Sequence, residues 1–432
     1  MHRLPGTPRS AKDLATLGTR LTGPGGLTVR PQGINLIFKG MRQADGTFHF
    51  LPDWPQNLYR RFAALGLNTV RLGILWAAVE PAPGQVDEAY MAFIRSQLDQ
   101  AAEAGLAVIL DMHQDLYAQR FSDGAPDWAV LTQQAYAPTA LWSDAYLTSP
   151  AVQQAWDAFW ENRVVPGTGK GLQDFFADTW AQLAQRFAGH PALLGYDILN
   201  EPAPGSEIRP IFAHILASLY NLLSGEEKAY LGLNEAGPEA MAGLFLNPQA
   251  KLEALALLDD PERYRLLGDL SEEPILRFER ETLEPFYEKV AAAIRRQDQD
   301  GFLLRGNNYI SNIGVPSGIR PIRVNGRVDA RQIFAPHGYD LVVDTEAMQA
   351  PSDSRAKSIF ARHRETQLAL NIPVIVTEWG AFAGYDSALT HGKFLLDLFA
   401  AWGWGQTYWC YTEDFFETPA AGLLKAALGA RP

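Results

Sequence analysis

Two glutamates stand at matching places in two distant apolar runs. The first run, Leu193-Leu194-Gly195-Tyr196-Asp197-Ile198-Leu199, reads as a strand buried on both faces and stops at Asn200-Glu201-Pro202. The second, Val374-Ile375-Val376-Thr377, stops at Glu378-Trp379-Gly380. Each run therefore ends in an acid and a break. Two carboxyl groups roughly 5–5.5 Å apart are what glycoside cleavage with retention requires: one protonates the leaving oxygen and the other attacks C1. The expected acid/base is Glu201 and the expected nucleophile Glu378. A strand-end glutamate alone could be a mere salt-bridge partner; the pairing of the two carries the signal.

Other residues fit around this pair. Asn200 is expected to donate to a sugar 2-hydroxyl, and Arg71 to keep Glu378 ionised, since a nearby cation favours the charged carboxylate. Tyr339, in His337-Gly338-Tyr339, is a candidate donor to Glu378, while His337 is a candidate to set Glu201. Trp409 offers a flat face to a pyranose. The run Asp111-Met112-His113-Gln114-Asp115 has the residue types of a metal site. Barrel metal sites of that kind also need His-x-His on the first strand, which here reads Gly33-Ile34-Asn35-Leu36-Ile37-Phe38. The expectation is no metal and no cofactor, with His113, Asp115 and Lys39 contacting sugar hydroxyls instead.

The elements that must carry these residues follow from patterning. Strands are expected at 33–38, 67–75, 106–111, from Leu193, then at 301–305, 333–336, 373–377 and 406–411. Asp53 is expected to cap a helix ending near Leu65, and Asp87 one carrying Met91, Ile94, Leu98 and Ala102 and ending at Gly105. Further helices are expected at about 172–188, 283–296, 355–369 and 387–401. Ala63-Ala64-Leu65-Gly66-Leu67 and Ala102-Glu103-Ala104-Gly105-Leu106 each close a helix and open a strand, the rhythm of βα units. Eight such strands predict an α/β fold, a (β/α)8 TIM barrel. Residues 1–32 are expected to be an irregular lead-in and 33–432 a single catalytic barrel. Long insertions are expected after strands three and four, at about 114–170 (rich in aromatics) and 203–282 (helical). Both leave the catalytic face, either as surface helices or as a wall around an apolar ligand.

Composition sets outer bounds. Of 432 residues 47% are hydrophobic, enough for a large core, and the net charge of −12 argues against nucleic acid or anionic lipid as an electrostatic partner. Cys410 is the only cysteine, so no intramolecular disulfide forms. Neither a secretory signal nor a membrane-spanning run is legible. The expected location is cytoplasmic, or secreted if a leader has been removed; the sequence is silent on oligomeric state.

As a set, Asn200-Glu201-Pro202, Thr377-Glu378-Trp379-Gly380, Arg71, His113, His337-Gly338-Tyr339 and Trp409 resemble glycoside hydrolase family 5. Within it, His113-Gln114-Asp115-Leu116-Tyr117 and Gly124-Ala125-Pro126-Asp127-Trp128-Ala129 are similar to the endoglycoceramidase pattern. The likeness extends to Gly33-Ile34-Asn35 with Lys39, Asn200-Glu201-Pro202-Ala203-Pro204-Gly205 and Pro285-Phe286-Tyr287, over roughly residues 30–415. It implies hydrolysis of the β-link between a sugar and ceramide, a polar sugar slot lined by Lys39, His113, Asp115 and Trp128, and an apolar groove for a glycolipid.

Three departures stand out. Such enzymes usually carry a C-terminal β-sandwich, their insertion after strand four is shorter, and they carry export signals. These departures move the expectation toward smaller glycosides: glucosylceramide, or steryl, alkyl and aryl glucosides. Competing readings are a family 5 endoglucanase or mannanase and, from another class, a barrel that binds carbohydrate without cleaving it.

Overall fold

A computed structural model describes residues 10–233, 237–382 and 384–429. Eight parallel strands form one sheet: β1 (Gln32–Ile37), β2 (Thr69–Leu75), β3 (Ala107–His113), β4 (Leu193–Asp197), β5 (Phe302–Arg305), β6 (Gln332–Phe334), β7 (Ile375–Val376) and β8 (Gly405–Tyr408). Their order around the sheet is β6-β5-β4-β3-β2-β1-β8-β7. Parallel bridges from Phe334 to Val374 and from His337 to Glu378 join the two ends and close the (β/α)8 TIM barrel.

The helices are α1 (Leu58–Ala64), α2 (Glu88–Ala104), α3 (Pro150–Trp160), α4 (Leu172–Phe187), α5 (Ile208–Leu222), α6 (Pro261–Phe278), α7 (Glu284–Arg295), α8 (Asp353–Leu370) and α9 (Leu389–Trp402), with shorter pieces between. Asp87 caps α2 by accepting from Tyr90 N, and Gly105 ends it in the left-handed region, both as expected. Asp53 does not cap α1. That helix starts at Leu58 without a side-chain cap, because Pro55 interrupts the backbone in between. The β5–β6 connection carries a hairpin at 323–328.

Strand parity explains why uniformly apolar runs deliver charges to one place. On β2 Val70, Leu72 and Ile74 belong to the outer core beneath the helices, which turns Arg71 to the lumen. On β3, Ala107 and Ile109 fill the lower lumen, so Asp111 and His113 continue the same face upward. A register shift between Val108 and Ile109 against β4 brings Asp197 onto this face as well. The lower lumen is thus apolar and the upper lumen ionic.

The lead-in departs from the expected irregular segment. Ala15–Leu17 and Arg20–Thr22 form a hairpin, and Ala11, Leu14, Leu21 and Val29 plug the apolar end of the barrel. Four single apolar residues spaced through turn-formers leave no periodic signal, which is why the hairpin is not legible in the sequence. Residues 1–9 lie outside the described residues.

Of the two insertions, 114–170 packs Tyr117, Trp156, Phe159 and Trp160 on one another, with ring centroids 5.1–6.0 Å apart, while its stretch 141–148 lines the barrel-mouth cavity. The helical insertion turns α5, α6 and Leu255 of the helix Pro248–Ala256 toward the barrel mouth. No helix among the described residues is long and apolar enough to cross a membrane.

Candidate active site

One buried cation ties Glu378 to the lumen. The Arg71 guanidinium, 1% exposed, donates to Asp197 (2.9 Å), Asn35 (3.0 Å), Glu378 Oε1 (2.7 Å) and Asn200 Oδ1 (2.9 Å), and pairs with Asp111 at 2.8 Å. A guanidinium is the side chain suited to this, since its five N–H groups radiate in a fixed plane. Burial pushes Asp197 up to about 7 despite Arg71. Tyr339 donates to the other oxygen of Glu378 at 2.9 Å. Both Glu378 oxygens are therefore held by donors, and its charge is stabilised without water.

Glu201 is held differently. It takes φ +41°, a left-handed conformation that costs a non-glycine residue about 1–3 kcal/mol. The Gln114 amide clamps this turn by donating to the carbonyls of Asn200 (2.9 Å) and Glu201 (3.1 Å). His337 Nδ1 lies 2.9 Å from Glu201 Oε1 and 3.5 Å from Glu378 Oε2, and the Asn312 amide donates to the same Oε1 at 3.1 Å. Burial, reinforced by the charge of Asp115, pushes Glu201 up to about 8, so it is protonated at neutral pH. Burial likewise pushes His337 down to about 4, leaving it neutral there. An oxygen of each carboxylate and a ring nitrogen of His337 lie within 4.8 Å of one another. That spacing leaves no room for the water an inverting pair must admit between them.

Beyond the acids lies a cavity of about 670 Å³, within the usual range for small-molecule sites. Its polar end is lined by Lys39, Asp115 and Trp409. Lys39 pairs with Asp115, lies 3.1 Å from Asp123, and sits 5.4 Å over the Trp409 ring. Burial lowers the Lys39 ammonium, yet the two aspartates hold it above its ordinary value. His113 stacks under Trp409, with centroids 5.2 Å apart, and Asp111 at 2.9 Å and Asp115 raise it to about 10 against the effect of burial. His113, Asp115 and Asp123 have metal-ligand spacing. They do not fit a divalent ion as they stand, because the ammonium of Lys39 already occupies their anionic side. Glu201, His337 and Glu378 also cluster closely, but their ligand atoms are bound to Asn312, Tyr339 and Arg71. The other end of the cavity is a hydrocarbon wall: Ile208, Phe212, Ile215, Leu216 and Leu219 of α5, with Leu255 and Leu267.

The expected residues fall into three groups. Lys39, Asp115, Glu201, Tyr339, Glu378 and Trp409 line the cavity. Arg71, His113, His337 and Asn200 are buried immediately behind them. Asn200 is oriented by both ends of its amide: its Oδ1 accepts from Arg71, and its Nδ2 donates one N–H to the Gln114 carbonyl at 3.1 Å and has a second N–H for a sugar hydroxyl. Trp128 requires a correction, because it is not in the sugar slot. The short helix Asp127–Ala129 turns it outward, where its Nε1 donates to the Glu80 carbonyl (3.0 Å) and its ring packs on Trp76 and Phe175. Asp123, Asp197 and Asn312 were not assigned from sequence. Parity with Arg71 would have pointed to Asp197 but for the bulge; Asp123 and Asn312 sit in loops, where no period exists to read.

The family described as Cellulase (glycosyl hydrolase family 5) matches residues 35–223 and 260–414, leaving out a stretch of the helical insertion. Endoglycoceramidase I of Rhodococcus hoagii (strain 103S) is 31% identical over 209 residues, 48% of this chain and 40% of that protein. An endoglycoceramidase of Cyanea nozakii is 34% identical over 169 residues, 34% of this chain and 32% of that protein. The chain thus matches less than half the length of these curated relatives. The solved structure of endo-glycoceramidase II from Rhodococcus sp. superposes with a TM-score of 0.67 at 25% identity, covering 94% of this chain and 80% of that one.

Proposed function

The chain belongs to glycoside hydrolase family 5, and from that premise we propose that it is a retaining β-glycosidase cleaving between a glucose or galactose unit and an apolar aglycone, ceramide being the leading candidate. The observation that carries this reading is where the two acids sit. Glu201 and Glu378 approach within 4.8 Å on the boundary between an ionic slot and a hydrocarbon cavity.

Glu201, neutral at pH 7, gives its proton to the glycosidic oxygen as the C1–O bond breaks. Glu378, held by Arg71 and Tyr339, attacks C1 from the opposite face and forms a glycosyl ester. The aglycone alcohol leaves. Glu201, now ionised, takes a proton from an entering water whose oxygen bonds to C1, releasing Glu378 and the sugar. Each acid returns to its starting state.

Lys39, Asp115 and Trp409 bind the sugar: a cation and a carboxylate for hydroxyls and an indole face for the ring's C–H surface. The α5 wall receives the aglycone. Relatives named for ceramide glycosides support a lipid there, and so does the aliphatic character of the wall. A polysaccharidase would present planar aromatic platforms on both sides of the scissile bond; here Trp142, Phe212, Tyr264 and Tyr309 are set among the aliphatic Ile208, Ile215, Leu216, Leu219, Leu255 and Leu267, and it is this aliphatic share that favours a lipid. The test is covalent trapping. A 2-deoxy-2-fluoro-β-glucosyl fluoride slows the second step, and mass spectrometry of a digest is expected to find the sugar on the Glu378 peptide. Its appearance on another residue, or turnover undiminished in Glu378→Ala, contradicts the assignment.

A further inference from the structure

The loop after β5 presents one side chain to both the acid and the cavity. Asn312 lies on the short helix Tyr309–Ile313, which shares Ile310 and Ile313 with the apolar wall. That helix is held at several points. Asn308 caps it through Oδ1, accepting from Ile310 N (2.9 Å) and Ser311 N (3.1 Å). The Asn308 amide then donates to Glu279 Oε1 at 2.6 Å. Glu279, fully buried where α6 passes into α7 through a π-helical turn, also accepts from Ser317 Oγ (2.9 Å) and Gly318 N (2.6 Å). Tyr309 N donates to the carbonyl of Pro202, directly after Glu201. Little freedom is left to Asn312: its Nδ2 meets Glu201 Oε1 at 3.1 Å, and among the described residues no donor reaches its Oδ1, although the residue lines the cavity.

We propose that Asn312 is a positioning and specificity-determining residue: Nδ2 confines the acid's proton to Oε2 of Glu201, and Oδ1 accepts from a hydroxyl or amide N–H that the aglycone carries beside the glycosidic oxygen. The assignment rests on the glycosidase reading above. An amide N–H cannot accept a proton, and with neutral His337 in the tautomer that carries its hydrogen on Nδ1 both neighbours donate to Oε1, so the proton goes to the oxygen left free. The same amide, held by its N–H, exposes its carbonyl beside Ile310 and Ile313. That carbonyl is thus an acceptor between the acid and the aliphatic part of the lining, where a sphingoid-type aglycone has its polar atoms and a plain alkyl chain has none. Leaving a buried acceptor unmatched is penalised, so the site discriminates between the two.

The surroundings of Glu201 fix the expected pH response. His337 and Tyr339 face it from the β6 loop, Glu378 from β7, Arg71 from β2, His113 and Asp115 from β3, and Lys39 from β1. Tyr146 and Tyr309 complete the shell. Asn312 donates to Glu201 without a titration of its own, and it stabilises the anion more than the acid. Its loss therefore raises the acid's titration point.

The experiment uses three forms: wild type, Asn312→Leu and Asn312→Asp. Titration of the 13C-labelled Glu201 carboxyl, assigned by its loss in Glu201→Gln, reads the first half and needs no turnover. Asn312→Leu is expected to move it up by about one unit and Asn312→Asp further, through like charge. In a Glu378→Ala background, binding is then compared for two β-glucosides of equal chain length, one with a secondary amide beside the glycosidic oxygen and one plain alkyl. The amide glucoside is expected to bind about tenfold tighter to the parent and the Asp variant, and equally to the Leu variant. An unmoved titration overturns the positioning role, and a preference that survives in the Leu variant overturns the specificity role. If both glucosides bind but wild type cleaves neither, the glycosidase reading fails while the Asn312 assignment stands. If neither binds, the specificity role falls as well.

Discussion

The two ends of the cavity are built in opposite ways. At the polar end, strand parity places Arg71, Asp111 and His113 in the lumen and the irregularity against β4 adds Asp197, and each is fixed by a charged partner. At the apolar end, α5 and α6 belong to an insertion, and apart from Tyr264, whose hydroxyl donates to the Ile313 carbonyl, the side chains they bring to the cavity are hydrocarbon. For the proposed reaction, the lesson is a division of labour in which the barrel carries the acids and the insertion carries the apolar face toward the leaving group. Barrel lumens tolerate little change, because removing one buried ion strands the others. A helical wall can change residue by residue at about 1.5–3 kcal/mol each.

The comparison yields graded expectations. Glu378→Ala is expected to lower turnover of aryl and lipid glycosides alike by about 10⁴–10⁶-fold, measured in steady state. An effect on lipid substrates only would break the division. Arg71→Met strands Asp111, Asp197 and Glu378 together. It is expected to cost about 3–5 kcal/mol of stability in urea unfolding, besides activity. Phe212→Ser acts at the other end: KM for a lipid glycoside is expected to rise about tenfold, while an aryl glycoside keeps its KM. Equal changes for both would show that α5 does not contact the aglycone.

The pH profile sharpens the polar side. Glu201 must carry its proton in the first step, and its pKa is raised to about 8, so kcat/KM is expected to fall as pH rises through about 8. His337, pushed down to about 4, stays neutral across that limb and does not contribute to it. The smallest effect is expected from Trp128→Phe. It loses the bond to the Glu80 carbonyl outside the site, so stability falls by about 1 kcal/mol and kcat stays within a few-fold.

What was legible in the sequence follows the same division. All eight barrel strands and the two acids could be read, because buried strands make unbroken apolar runs and Asn200-Glu201-Pro202 and Glu378-Trp379-Gly380 punctuate their ends. Arg71 was legible as a charge inside such a run. The direction of Trp128 was not: a short helix after Pro126 turns the ring, and no period marks it. Nor was Asn312, whose place depends on Asn308 and Glu279 meeting across 29 residues. The helical character of 203–282 was readable from its leucines, but which face meets the cavity is a matter of tertiary packing.

The most direct measurement follows the first-formed sugar by proton NMR, before the anomers equilibrate. Two carboxylates this close require a double displacement, so a β-glucoside is expected to release β-glucose first. Release of α-glucose would mean a single inversion by water, and the central claim about Glu201 and Glu378 would be wrong.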